Sequence, residues 1–137
     1  MCDLMTNDPV FGEMIYDHRW MKRQSVYLWG NTHDLLIVAK AYHGKEISQP
    51  QRDSYLQFID NLPTVSERSH KMLDDYLSTY NKTHIDNELE TSVTPRCVLF
   101  KQDGSYGILC DFSLDPEHGL VIVLTPKKEV GMQDIFL

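Results

Sequence analysis

No apolar run in this chain exceeds five residues; the longest are residues 35–39 and 120–124. A helix that crosses a bilayer needs about 20, so no membrane span is expected. Cysteine is scarce. Cys2, Cys97 and Cys110 are too few and too scattered for a disulfide framework or a Cys-x-x-Cys metal site. Positive charge is in short supply, with 13 Lys and Arg against 20 Asp and Glu and a net charge of −7. That balance argues against nucleic acid, whose binding is driven by neutralising phosphates. The N-terminus carries Asp3, Asn7 and Asp8 in place of the basic start and apolar stretch of a secretory signal, so export by that route is not expected.

Catalytic signatures are also missing. There is no Gly-x-Ser-x-Gly elbow and no Gly-rich loop leading from a strand into a helix. The six histidines, His18, His33, His43, His70, His84 and His118, include no His-x-x-x-His or His-Glu-x-x-His pair. His84 with Asp86 and Glu117 with His118 are the close His–carboxylate pairs, and both are expected in turns. Four grouped ligands for a structural zinc are absent, so neither a metal nor a cofactor is expected.

What is present is an ordinary globular composition, 42% apolar and 24% charged, at a length that suits one core. The chain is expected to form a single α+β domain over residues 1–137: strands over about 11–42, a helical insert over 48–80, and strands over 94–136. Residues 11–16 and 20–29 are rich in aromatic and β-branched residues. Asp17-His18 and Gly30-Asn31 mark turns. Residues 33–42 contain Leu35-Leu36-Ile37-Val38-Ala39, which reads as a strand buried on both faces, closed by Gly44. A three-strand meander is the simplest arrangement.

The period then changes. Ser48-Gln49-Pro50-Gln51 reads as a capping box with Pro50 in the first turn. The helix it opens runs to about Asn61, burying Tyr55, Ile59 and Leu62, and Pro63 interrupts it. Thr64-Val65-Ser66-Glu67 reads as a second box. Val65, Ser69, Met72, Leu73, Tyr76, Leu77 and Tyr80 then recur at offsets 0, 4, 7, 8, 11, 12 and 15, a helical stripe facing a core. Asp74 and Asp75 fall on its polar face. Residues 81–92 read as a linker.

After residue 94 the pattern is again that of strands. Asp103-Gly104 signals a hairpin. If it is a two-residue turn, Cys97 lies opposite Cys110, Leu99 opposite Ile108 and Arg96 opposite Asp111, and Gly107 makes room opposite Phe100. Opposed Cβ atoms stand about 4.5–5.5 Å apart, slightly wide for a disulfide, and two buried thiols are the default. Residues 119–124 and 129–137 complete an expected mainly antiparallel sheet of six or seven strands. The two-helix insert follows the third strand and packs on one face.

Phe11-Gly12, Tyr16-Asp17 and Trp20 near the start resemble the opening of an uncharacterised bacterial family of small α+β domains. The hairpin turn Asp103-Gly104, then Glu117-His118-Gly119, and Gly131-Met132-Gln133-Asp134 resemble its close. Such domains look like the immunity proteins of bacterial toxin systems. The resemblance therefore implies a cytoplasmic, non-catalytic protein that binds and blocks a toxin, and it supplies no catalytic constellation.

Between Glu46 and Glu90 there are nine acidic and four basic residues, a balance of −5. The insert is thus expected to present an acidic surface to a basic protein partner, unless it is simply a solvated helix face. Trp20, Trp29, Asp74 and Asp75 are the candidate contacts, the tryptophans only if exposed. Glu117, His118, Gln133 and Asp134 form a polar cluster if the two C-terminal turns meet, or else they are turn and cap residues. A small-molecule site or enzyme pocket around Glu117, His118 and Asp134 is the second reading. An accessory domain that homo-oligomerises through an edge strand is the third.

Overall fold

The computed structural model describes residues 4–41, 45–83, 93–113, 115–125 and 127–137. Gly44, Cys2, His43, His84, Asp86, residues 84–92 and the side chain of Tyr80 lie outside the described residues. The strands are β1 (Leu4–Asp8), β2 (Gly12–Tyr16), β3 (Trp20–Leu28), β4 (Asn31–Ala39), β5 (Val93–Phe100), β6 (Tyr106–Phe112), β7 (Leu120–Thr125) and β8 (Glu129–Gly131). Two helices, α1 (Gln49–Asp60) and α2 (Leu62–Thr83), join β4 to β5, and a 3-10 turn at Gln133–Ile135 follows β8. The described residues form one eight-stranded sheet in sequence order. The fold is α+β and mostly antiparallel. Only the β4–β5 pair, which the helices span, is parallel. Two four-strand meanders thus meet at a parallel seam.

The strand beyond the expected seven is β1. Its sequence, Leu-Met-Thr-Asn-Asp, lacks alternation and ends in turn-formers; it pairs along its length with β2 and is tied to α1 through Asp8. Asp8 is 5% exposed. Its carboxylate accepts from the N–H groups of Val10 and Phe11, both at 2.9 Å, and pairs with Arg52 of α1 at 2.7 Å. The tight turn into β2 then uses Gly12 at φ +82°. The last strand is shorter than expected, because the chain leaves the sheet at Gly131 for the 3-10 turn.

Alternation along β4 sends Leu35, Ile37 and Ala39 to the helix side and Leu36 and Val38 to the other. The main core lies between sheet and helices. Phe11, Tyr55, Phe58, Phe100 and Tyr106 meet there, with Phe11 stacked on Tyr55 and Phe100 on Tyr106. On the helix-free face a smaller group, Val38, Leu99, Val121 and Val123, is covered in part by Phe136.

Helix α1 opens at the Ser48 capping box, as the sequence predicts. Gln51, 0% exposed, also donates to the carbonyls of Lys40 and Phe100 at 2.8 and 3.0 Å. One amide therefore caps the helix and closes the ends of both parallel strands. Helix α2 does not begin at Thr64. It starts at Leu62, and Pro63 sits in its first turn, where a missing N–H costs nothing. Val65, Ser69, Met72, Leu73, Tyr76 and Leu77 of the expected stripe face the core or its margin.

The β5–β6 register differs from the expected one by a residue. The Lys101 and Ser105 backbones bond across a three-residue loop, and the Gly104 N–H donates to the Lys101 carbonyl. That is a type I turn closed by a glycine at positive φ, here +93°. Cys97 consequently faces Leu109, Val98 faces Ile108 and Leu99 faces Gly107. Past a bulge at Arg96 the shift becomes two residues, so Asp111 lies opposite Thr94 and not Arg96, although Arg96 still reaches it as an ion pair. Cys110 lies in the main core and Cys97 on the other face of the sheet, so the two thiols cannot meet. Gly107 makes room for β7, since a Cβ there would sit 2.9 Å from the Ile122 carbonyl.

Candidate functional site

The β3–β4 connection is the two-residue turn Trp29-Gly30, with Leu28 paired to Asn31. Both central residues have positive φ, +55° for Trp29 and +83° for Gly30, as a type I′ turn requires. Asn, Asp and Gly suit the first position. A bulky residue there carries strain of about 1–3 kcal/mol and persists only where its surroundings hold it. Helix α2 supplies the restraint. The Trp29 backbone N–H donates to Ser66 Oγ at 2.8 Å, and its indole N–H donates to Ser69 Oγ at 2.9 Å.

Beside this clamp is a cavity of about 470 Å³, walled by Tyr27, Trp29 and Gly30 of the hairpin and by Leu62, Pro63, Ser66, Glu67 and His70 of α2. The α2 residues recur at i, i+4 and i+8, so one face of its first turns forms the wall. Tyr27 is 62% exposed, although it is an aromatic residue on a strand. The lining is mostly apolar. Glu67 is its carboxylate, and Asp74, seven residues on and on the same helix face, stands 3.8 Å from His70. An aromatic floor with carboxylates at the rim suits an apolar side chain or the stem and head of a Lys or Arg, held by cation–π and charge-assisted contacts.

Of the residues singled out from the sequence, Trp29 lines this cavity, Asp74 extends its acidic side, and Asp75 is exposed one position around the helix. Trp20 does not meet the condition of exposure. It is 5% exposed, packs against Tyr16, and donates its indole N–H to the Lys45 carbonyl at 2.7 Å. Tyr27, Leu62, Pro63, Ser66, Glu67 and His70 were not singled out as a site. The sequence marks the turn one residue too late, at Gly30-Asn31, which leaves Trp29 in the strand; Asn31 instead opens β4.

The expected acidity of the insert is also redistributed. Residues 49–83 hold five acidic and four basic residues, a balance of only −1. Asp86, Glu88 and Glu90 lie outside the described residues. The helices therefore present mixed charge, with Glu67 and Asp74 concentrated on the cavity side.

The two C-terminal turns do meet. Gln133 donates to the Cys110 carbonyl at 2.9 Å and packs against Gly119, where a Cβ would lie 2.6 Å from its amide nitrogen. Gln133 is thus a brace between turns. Glu117, His118 and Asp134 are exposed. His118 Nδ1 donates to the Asp115 carboxylate at 3.0 Å, which raises the pKa of His118, with smaller contributions from Glu117 and Asp134. None of the three lines this cavity. Among the described residues no group of three or more His, Cys, Asp and Glu side chains could hold a metal ion, and no helix is long and apolar enough to cross a membrane.

No protein-family model matches the chain, and no curated protein or solved structure matches it either.

Proposed function

We propose that this chain is a non-catalytic protein-binding module whose contact surface is centred on the Trp29 cavity, and that its partner inserts a basic or apolar side chain there. The observation that carries this reading is Trp29 itself. A bulky aromatic residue is held at positive φ by two hydrogen bonds that it donates to α2, beside an open aromatic cavity, at a position where Asn or Gly would relieve the strain. Strain of this kind clusters at functional sites, and aromatic anchors in pockets dominate binding energy at interfaces. Glu67 and Asp74 give the surface its preference for positive charge, and the overall charge of −7 steers a basic partner toward it.

The resemblance in the segments around Phe11–Trp20 and in the C-terminal turns supports the finer reading. On that reading the partner is a bacterial toxin, the module neutralises it by steric and electrostatic blockade, and both meet in the cytoplasm. The volume of the cavity favours a second reading, a small apolar ligand in the same place, because ligand pockets run from about 300 to 1,000 Å³.

The test is selection from a displayed peptide library on immobilised protein, with the enriched sequences rebound to a Tyr27→Ala variant. Tyr27 is mostly exposed, so its loss leaves the fold intact. The proposal expects sequences that combine Lys or Arg with aliphatic residues, and at least tenfold weaker retention by the variant. Sequences retained equally by both proteins would contradict it.

A further inference from the structure

The first turns of α2 wall two cavities rather than one. Helical spacing sends Glu67 into the Trp29 cavity and Arg68 into a second one, of about 440 Å³, on the other side of the helix. Its lining is opposite in character. Arg68 and Lys128 supply two cations, Gln57 and Asn61 two amides, and Thr64 and Thr125 two hydroxyls, while Val65 and Leu124 give an apolar patch. No lining residue is acidic, on a chain where acids outnumber bases 20 to 13. Among the described residues neither Arg68 nor Lys128 makes an ion pair or a side-chain hydrogen bond.

Tyr106 provides an independent observation. It is 3% exposed, yet its hydroxyl makes no hydrogen bond to a described residue. No fully buried side-chain polar atom among the described residues lacks a partner. The hydroxyl therefore keeps some exposure, and Tyr106 is one of the residues that line this cavity. A phenol is protonated at neutral pH in any case, and burial raises its pKa further, so it stands as a donor. Thr64 and Val65 belong to the first turn of a 22-residue helix, whose positive end also favours an anion.

We propose that this second cavity binds a small organic oxyanion, a phosphate or carboxylate that carries an apolar group. Arg68 and Lys128 hold the charge, the Tyr106 hydroxyl and the amides of Gln57 and Asn61 donate to its oxygens, and Val65 and Leu124 receive the apolar part. The proposal concerns a different cavity from the Trp29 surface and stands whether or not that surface binds a protein.

Phenyl phosphate, benzoate and benzyl alcohol, titrated separately into 15N-labelled protein, provide the test. The expected result is saturable movement of the Thr64, Val65 and Thr125 amides with one or both anions and none with benzyl alcohol, the tighter anion naming the head group. Arg68→Gln and Lys128→Gln, both at exposed positions, should each weaken binding about tenfold, and Tyr106→Phe several-fold, with the amide spectrum otherwise unchanged. Three results would overturn the proposal: no saturable movement with either anion, equal binding of benzyl alcohol, or undiminished binding by the Arg68→Gln/Lys128→Gln double variant.

Discussion

Gln51 joins three parts of the chain with one side chain. Its oxygen accepts from the Ser48 N–H at 2.8 Å and its nitrogen serves carbonyls at the ends of β4 and β5. Removing it takes a donor from the Lys40 carbonyl, leaves the Phe100 carbonyl with the Lys40 N–H alone, and leaves half a capping box. Gln51→Ala should therefore cost about 2–4 kcal/mol, measured by urea unfolding. Asp8 makes a comparable junction between β1 and α1. Burial alone would raise its pKa. The hydrogen bonds from Arg52, Phe11 and Val10 outweigh that and hold it below the usual carboxylate value. A depressed folded pKa contributes stability that is complete above the unfolded pKa, near 3.8, and is lost as pH falls through the lower folded value. Asp8→Asn should cost about 1–3 kcal/mol at neutral pH and flatten the loss of stability below about pH 4. A full acid limb in the variant would assign that loss to other carboxylates. Trp29→Asn relieves turn strain while removing packing, so its net effect on stability should stay under about 1 kcal/mol, against about 3–5 kcal/mol for truncating an unstrained core tryptophan.

At the scale of elements, what the sequence disclosed was whatever local chemistry decides. The Ser48 box, the stripe from Val65 to Leu77 and the all-apolar strand around Ile37 each carry their signal within a dozen residues. What it hid depends on partners elsewhere in the chain. β1 is tied to α1 by Arg52, and the ends of the parallel seam are joined by Gln51, both across more than forty residues. The site was hidden for the same reason, because its two walls lie on a hairpin and a helix far apart in sequence. The hairpin register failed for a subtler reason. Asp103-Gly104 serves equally in a two-residue turn and in a three-residue loop, and the choice moves the partners of Tyr106 to Leu109 by one. The outcome is chemical. Burial pushes the Cys97 thiol up to about 11 and raises Cys110 further. Oxidation of the native protein should yield no Cys97–Cys110 disulfide by intact mass, and both thiols should react with a thiol reagent far more slowly folded than in urea. Recovery of that disulfide would restore the two-residue turn. Gly104→Ala should destabilise by about 1–2 kcal/mol, since φ is +93° and the new Cβ would lie 3.2 Å from the Pro50 Cβ.

At the scale of the whole molecule, the sheet and helices share one large core, and the surface of α2 divides into two chemically opposed cavities. The charge excess that the sequence concentrates in the insert is not spread over its helices. It bears on function through where single carboxylates stand, Glu67 and Asp74 beside the aromatic cavity. Of the two tryptophans, one is sealed in the core and one lines that cavity, which gives the protein a built-in control. Incorporation of 5-fluorotryptophan yields two 19F resonances to follow while a library-selected basic peptide is titrated at low and high salt. The account predicts that the Trp29 signal shifts saturably, that the Trp20 signal stays in place, and that salt and Glu67→Gln both weaken the response. A Trp29 signal that does not move while the peptide binds, or that moves together with Trp20, would contradict the claim that the partner docks on the Trp29 cavity.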